Sequence, residues 1–108
     1  MPMYLGRFKY SADAIKAMIE NPQDRGAAAA RAAESLGCKL EGLWWSLGER
    51  DGVFLLEAPD NVSAASLSML VGGSGALSRL ETTPLLTMEE AQEALSKAAA
   101  ASYRPPAG

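Results

Sequence analysis

Two short runs constrain this chain more than anything else in it. Residues 38–47 (CKLEGLWWSL) and 53–58 (VFLLEA) are apolar on both sides of an extended backbone. Side chains alternate along a strand, so Leu43, Trp45 and Leu47 point one way and Trp44 and Ser46 the other. In the second run Phe54 and Leu56 oppose Val53 and Leu55. The polar turn from Gly48 to Gly52 joins the runs, and a hairpin is their simplest pairing. A sheet built round that hairpin must be covered on both faces.

The flanking sequence supplies one cover. Residues 3–10 (MYLGRFKY) read as a strand, and Ser11 caps a helix with Asp13 in its first turn and Ile15, Met18 and Ile19 at helical spacing. Asn21-Pro22 interrupts that helix, and the spacing predicts a second segment from Pro22 through the alanine-rich 27–33 to Leu36, ended by a left-handed Gly37. Past the hairpin, Pro59 stops the strand and Asp60 caps a helix carrying Val62, Ala65, Leu67, Leu70 and Val71, which Gly72, Gly73 and Gly75 end. Residues 76–86 read as a last strand, with Leu77 and Arg79 on one side and Leu80 and Thr82 on the other. Thr87 and Glu90 match a capping box for a helix to about residue 102.

The order β-α-β-β-α-β-α is a split βαβ unit repeated once, with a helix added: an α+β, ferredoxin-like sandwich on an antiparallel four-stranded sheet of expected order 4-1-3-2. Residues 1–103 form its single domain and 104–108 a flexible tail; 108 residues do not stretch to two ordinary domains. Two helices cover one sheet face. The same face of a second copy is the simplest cover for the other, so a homodimer is expected.

Composition removes whole classes of function. The chain has no histidine, which excludes Ser-His-Asp and Cys-His catalysis and His-ligated metal sites. No acidic or cysteine cluster has metal-ligand spacing, so neither metal nor cofactor is expected. A net charge of −3 without a Lys/Arg cluster argues against nucleic acid, and no apolar run approaches a bilayer span, so no membrane partner is expected. The lone Cys38 and an N-terminus charged at Arg7 and Lys9 point to the cytoplasm. Cys38 follows a helix C-terminus, where the dipole raises a thiol pKa, and no histidine can activate it. The glycine-rich 71–75 lacks the Lys-Ser/Thr of a phosphate loop.

The stretches YLGRFKYSADAIKAM, NPQDRGAAAARAAESLGCKLEGLWWSLGERD, LLEAPD and GALSRLETTPLLT, which together cover roughly residues 3–90, resemble the GYD-domain family, small bacterial and archaeal proteins named for a Gly-x-Tyr-Asp turn. The resemblance implies a ferredoxin-like fold paired as a dimeric α/β barrel, with no activity common to the family. The signature turn here reads Gly48-Glu49-Arg50-Asp51, with Arg50 in the tyrosine's place.

Each candidate site has a plain reading beside a functional one. Glu49 and Asp51 offer a carboxylate pair for acid/base work, or a solvated hairpin tip in which Gly48 takes a positive φ and Asp51 bonds to nearby amides. Tyr4, Phe8 and Tyr10 alternate on one face of the first strand, where with Trp44 or Trp45 they line a small-molecule pocket or simply pack. Arg7 and Arg79 hold an anion, or pair with Glu57 and Glu81 across neighbouring strands. The candidate ligand pocket is therefore Tyr4, Phe8, Trp44, Trp45 and Arg79, with no catalytic residue assigned. The expected function is a homodimeric small-molecule-binding or accessory protein; the alternative is a cofactor-independent monooxygenase or isomerase using the sheet–helix pocket, with Tyr4, Trp44, Arg79 and Asp51 as its candidates.

Overall fold

The computed structural model describes residues 1–107. Its elements are β1 (Met3–Tyr10), α1 (Ala12–Glu20), α2 (Arg25–Ser35), β2 (Lys39–Trp45), β3 (Gly52–Glu57), α3 (Asn61–Gly72), β4 (Leu77–Leu85) and α4 (Met88–Ala100). The four strands form one sheet in the order β2-β3-β1-β4, every neighbouring pair antiparallel. This is the expected ferredoxin-like α+β arrangement with one helix appended. Residues 102–107 lie outside helix and strand, and Gly108, the end of the expected tail, lies outside the described residues.

Local chemistry sets the boundaries. The Ser11 hydroxyl accepts from the Ala14 amide at 3.1 Å and starts α1. The second segment begins later than Pro22. Asn21 closes α1, and Asp24 is the cap of α2, its carboxylate accepting from the Ala27 amide at 3.2 Å. A carboxylate three residues before a free amide meets the first-turn donors directly, so Pro22 and Gln23 remain linker. Gly37 and Gly48 take φ values of 72° and 119°, which other residues rarely adopt. At α4 both halves of the capping box form, the Thr87 hydroxyl accepting from the Glu90 amide at 3.0 Å and the Thr87 amide donating to Glu90 Oε1 at 2.9 Å.

Two bulges alter the simple alternation. In β2, Leu40 pairs with Leu56 and Gly42 with Leu55, so Glu41 is the extra residue and Leu40 and Leu43 share a face. In β4, Lys9 pairs with Arg79 and Tyr10 with Leu77, leaving Ser78 as the extra residue. The Ser78 hydroxyl donates toward the Lys9 and Tyr10 carbonyls, each at 3.4 Å. The bulge overturns the expected grouping of Leu77 with Arg79: Leu77 turns inward with Leu80 and Thr82, and Arg79 stays on the opposite face.

The helices cover only one face. Buried Tyr4, Leu56, Ala33, Cys38, Ala58, Ala64 and Leu67 make the core where the C-terminal half of α2 and the N-terminal half of α3 meet the sheet. The Tyr4 hydroxyl donates to Asn61 Oδ1 at 2.6 Å. Further along, two cross-strand pairs put a phenyl ring over a glycine: Phe54 lies across Gly6, and Phe8 across Gly52. A methyl group on either glycine would overlap the ring, at 1.9 Å from Phe54 and 2.2 Å from Phe8. The rings therefore lie along the sheet instead of standing up from it.

The opposite face is open. From β2 to β4 it carries Trp44, Val53, Leu55, Leu5, Met3 and Leu85, set among Lys39, Glu57, Arg7, Lys9, Arg79 and Glu81. Trp44 is 55% exposed. α4 projects from the body: every residue in it but Ala91 is exposed, including Met88 at 87% and Leu95 at 69%. The radius of gyration is 17.6 Å, against roughly 13 Å for a compact chain of this length.

Asp51 ties the hairpin to β1. Its amide donates to the Phe8 carbonyl at 2.8 Å and its Oδ2 accepts from the Tyr10 amide at 2.9 Å. These bonds extend the β1–β3 ladder one step past Gly52, and Lys9 adds an ion pair at 3.8 Å. Asp51→Ala leaves the Tyr10 amide without its partner, and the expected cost is about 1–2 kcal/mol. Asp51→Asn keeps an acceptor and is expected to lose less. Chemical denaturation of the two variants measures the difference, and equal losses would remove the ladder role.

Candidate functional site

A cavity of about 260 Å³ lies between the sheet and the helices. Its floor is Phe8 and Phe54; its walls include Leu43, Leu80 and the Ala28, Ala29 and Ala32 side of α2, with Leu67 and Val71 from α3. The cause lies in topology and sequence together. α2 packs on β2 and α3 on β4, the two edges of the sheet. The central strands between them carry flat-lying rings, and the α2 wall is built of methyl groups. Nothing bulky enough to close the gap projects into it.

Tyr10 and Arg25 stand at the end nearest the hairpin. They line both this cavity and a second hollow of about 220 Å³ that runs on past Leu43 to Trp44 and Trp45. Tyr10 touches Phe8 edge-on at 5.2 Å between centroids and leans on Trp45 at 5.2 Å. Burial pushes the Tyr10 phenol above its ordinary range; the nearby Arg25 guanidinium opposes that shift and the Asp51 carboxylate adds to it.

The expected pocket residues divide between several places. Phe8 floors the cavity, and Trp45 reaches its outer end through Tyr10. Tyr4 is committed to the core and to Asn61. It also lines a wider groove between α3 and β4 that Arg79 borders. Trp44 pairs with Val53 on the open face. The five expected residues thus fall in two places: Phe8, Trp44 and Trp45 line the second hollow, and Tyr4 and Arg79 the groove between α3 and β4. Arg25, Leu43 and Leu80 were absent from the expected pocket. The signal for them was the alanine run itself, which marks a helix face without bulk over a sheet of large side chains.

The arginines also pair differently from expectation. Glu81 receives Arg50 from the hairpin and Arg79 from its own strand, the latter at 3.3 Å. Arg7 lies opposite Glu81 but is in no ion pair among the described residues, and Glu57 loses Lys39 to Glu41 at 3.5 Å. Arg50, from the hairpin, takes the acceptor that Arg7 faces in register. Within the turn from Gly48 to Asp51, Gly48 supplies its left-handed φ, Ser46 donates to the Arg50 carbonyl at 3.0 Å, and Arg50 Nε is buried without a partner. Glu49 joins no ion pair among the described residues.

Among the described residues no group of three or more metal-ligating side chains comes together, and no helix is long and apolar enough to cross a membrane. Cys38 is buried in the core, and its thiol is pushed up, chiefly by burial and then by the Asp60 carboxylate. Because the folded thiol holds its proton above the ordinary value of 9.0, its contribution to stability is complete below that pH and is lost as pH rises through the folded pKa. Cys38→Ala is expected to flatten the decline of Tm above about pH 9. Melting curves across that range test it, and parallel declines in both proteins would refute it.

Comparison with known proteins gives the family. A search of curated proteins returns no match. Among solved structures, the chain is similar to one titled "crystal structure of FFRP-DM1", at 9% identity and a TM-score of 0.48, covering 80% of this chain and all of that one. It is also similar to an uncharacterized NIPSNAP domain protein from Burkholderia xenovorans, at 16% identity and a TM-score of 0.48, covering 81% of this chain and 94% of the other. The model of the GYD domain matches residues 4–95, which takes in nearly all of the sheet, the cavity, the β2–β3 turn and the first part of α4. The chain belongs to the GYD domain family.

Proposed function

We propose that this protein is a small-molecule-binding domain that takes an apolar ligand between its sheet and helices and works as a homodimer joined through the open sheet face. The observation that carries the binding half is the 260 Å³ cavity over Phe8 and Phe54. Ligand sites are concave and mainly apolar with a few polar groups at one end, and the Tyr10 end supplies those groups here. The dimer half is supported by the apolar row Trp44, Val53, Leu55 and Leu5, which a two-fold partner would bury against its own copy. The buried, unpaired Cys38 suits the reducing cytoplasm.

Each half has its own measurement. A neutral aromatic probe such as indole is expected to raise the Tm of the native protein, since binding stabilises the folded state. Ala29→Leu fills the cavity from α2 and is expected to abolish that shift while folding normally. An indole shift unchanged in the variant would place binding elsewhere. For the dimer, light scattering is expected to give twice the 11.3 kDa of one chain, and Leu55→Glu to give the single mass. A native protein that stays monomeric at every concentration would end the dimer reading.

A further inference from the structure

We propose that the cavity accepts a small monocarboxylate with an apolar, ring-sized body, the carboxylate held at the cavity end by the Arg25 guanidinium and the Tyr10 hydroxyl. This rests on the binding half of the reading above and names its ligand class.

Three observations converge. The first is size and lining. At interior packing density 260 Å³ has room for roughly ten non-hydrogen atoms. Phe8, Phe54, Leu43 and Leu80 offer such a body apolar contacts, and the two serines of the lining spend their hydroxyls within the chain, Ser68 on Thr82 and the Ala64 carbonyl and Ser74 on the Val71 carbonyl, so a hydrocarbon or aromatic body fits. The second is polarity at one end. Tyr10 and Arg25 are common to the cavity and the neighbouring hollow, so they stand where a ligand would pass from one into the other. Arg25 is exposed at its position on the first turn of α2, which keeps the cation hydrated until a ligand arrives.

The third is the charge balance around that end. Asp24 accepts from the Ala27 amide at 3.2 Å, and Asp51 from the Tyr10 amide at 2.9 Å with Lys9 paired to it at 3.8 Å. Arg25 is in no ion pair among the described residues. One uncommitted cation beside one phenol matches a single carboxylate: the guanidinium gives a two-pronged contact and the phenol a third donor. A dianion would leave a charge without a partner against an apolar wall, which is costly. Tyr10 and Arg25 line the same end of the cavity and of the adjoining hollow.

The test compares an acid with its uncharged analogue, 3-phenylpropionate and 3-phenylpropionamide, by titration calorimetry and by the fluorescence of Trp45, which lies 5.2 Å from Tyr10. A Trp44→Phe background removes the indole on the open face from the signal. The acid is expected to bind about tenfold more tightly than the amide, a ratio that one charge-assisted contact supplies. Arg25→Gln is expected to erase that preference, leaving acid and amide to bind equally, and Ala29→Leu to abolish the binding of both. Equal binding of acid and amide, or an acid preference that survives Arg25→Gln, would overturn the ligand class and leave the cavity reading standing. Failure of both compounds to bind would overturn both.

Discussion

The reciprocal packing of Phe54 on Gly6 and Phe8 on Gly52 is the constraint from which the rest of the architecture follows. Each ring covers the glycine on the neighbouring strand, and each glycine makes room for a ring to lie down. A strand glycine usually weakens a sheet because it packs nothing; here the ring across the strand restores the lost contact. The centre of the sheet is thereby low and apolar. The helices rest on the sheet edges, where β2 and β4 give them support, and the space above the rings stays unfilled. The cavity is thus a product of the sheet's surface profile as well as of the helices' small side chains.

Much of this was legible in the chain before any coordinates. The strand order follows from the split βαβ pattern, and the caps at Ser11, Asp60 and Thr87 follow from the chemistry of free helix amides. The two-sided apolar hairpin was legible because Trp44 and Trp45 are adjacent, and adjacent strand residues must part. The bulges at Glu41 and Ser78 were not. A bulge leaves no mark in a hydrophobic pattern beyond an imperfect alternation, and that imperfection was visible in β4 without revealing which residue was extra. The start of α2 was misplaced because Asn21-Pro22 and Asp24 are both valid starts, and only the bond to the Ala27 amide chooses between them.

The site was less legible than the fold, for a reason that is itself physical. A pocket in this protein is made by what is missing between two helices, and the residues that shape it are alanines and glycines with no chemical signature. Large polar-tipped aromatics attract attention in a sequence, yet Tyr4 spends its hydroxyl on Asn61 and Trp44 lies on the far face. Charged groups mislead in the same way. Glu81 gathers Arg50 and Arg79, so an arginine that faces it in register, Arg7, is left out. The competing cation, Arg50, comes from the hairpin that Asp51 ties to β1.

α4 carries a consequence for how the protein loses its structure. With 13 residues it stands near the ~12–15 at which an isolated helix becomes marginal in water, and its own chain gives it no surface to pack on. Its order comes from alanine content, the Thr87–Glu90 box and the Glu93–Lys97 pair at 3.8 Å, all of them local. Local order melts by degrees, whereas the sheet and its core melt together. In a lone chain, backbone and aromatic spectroscopic signals would therefore not superimpose on heating, and a single unfolding temperature would describe the sheet but not the helix that follows it.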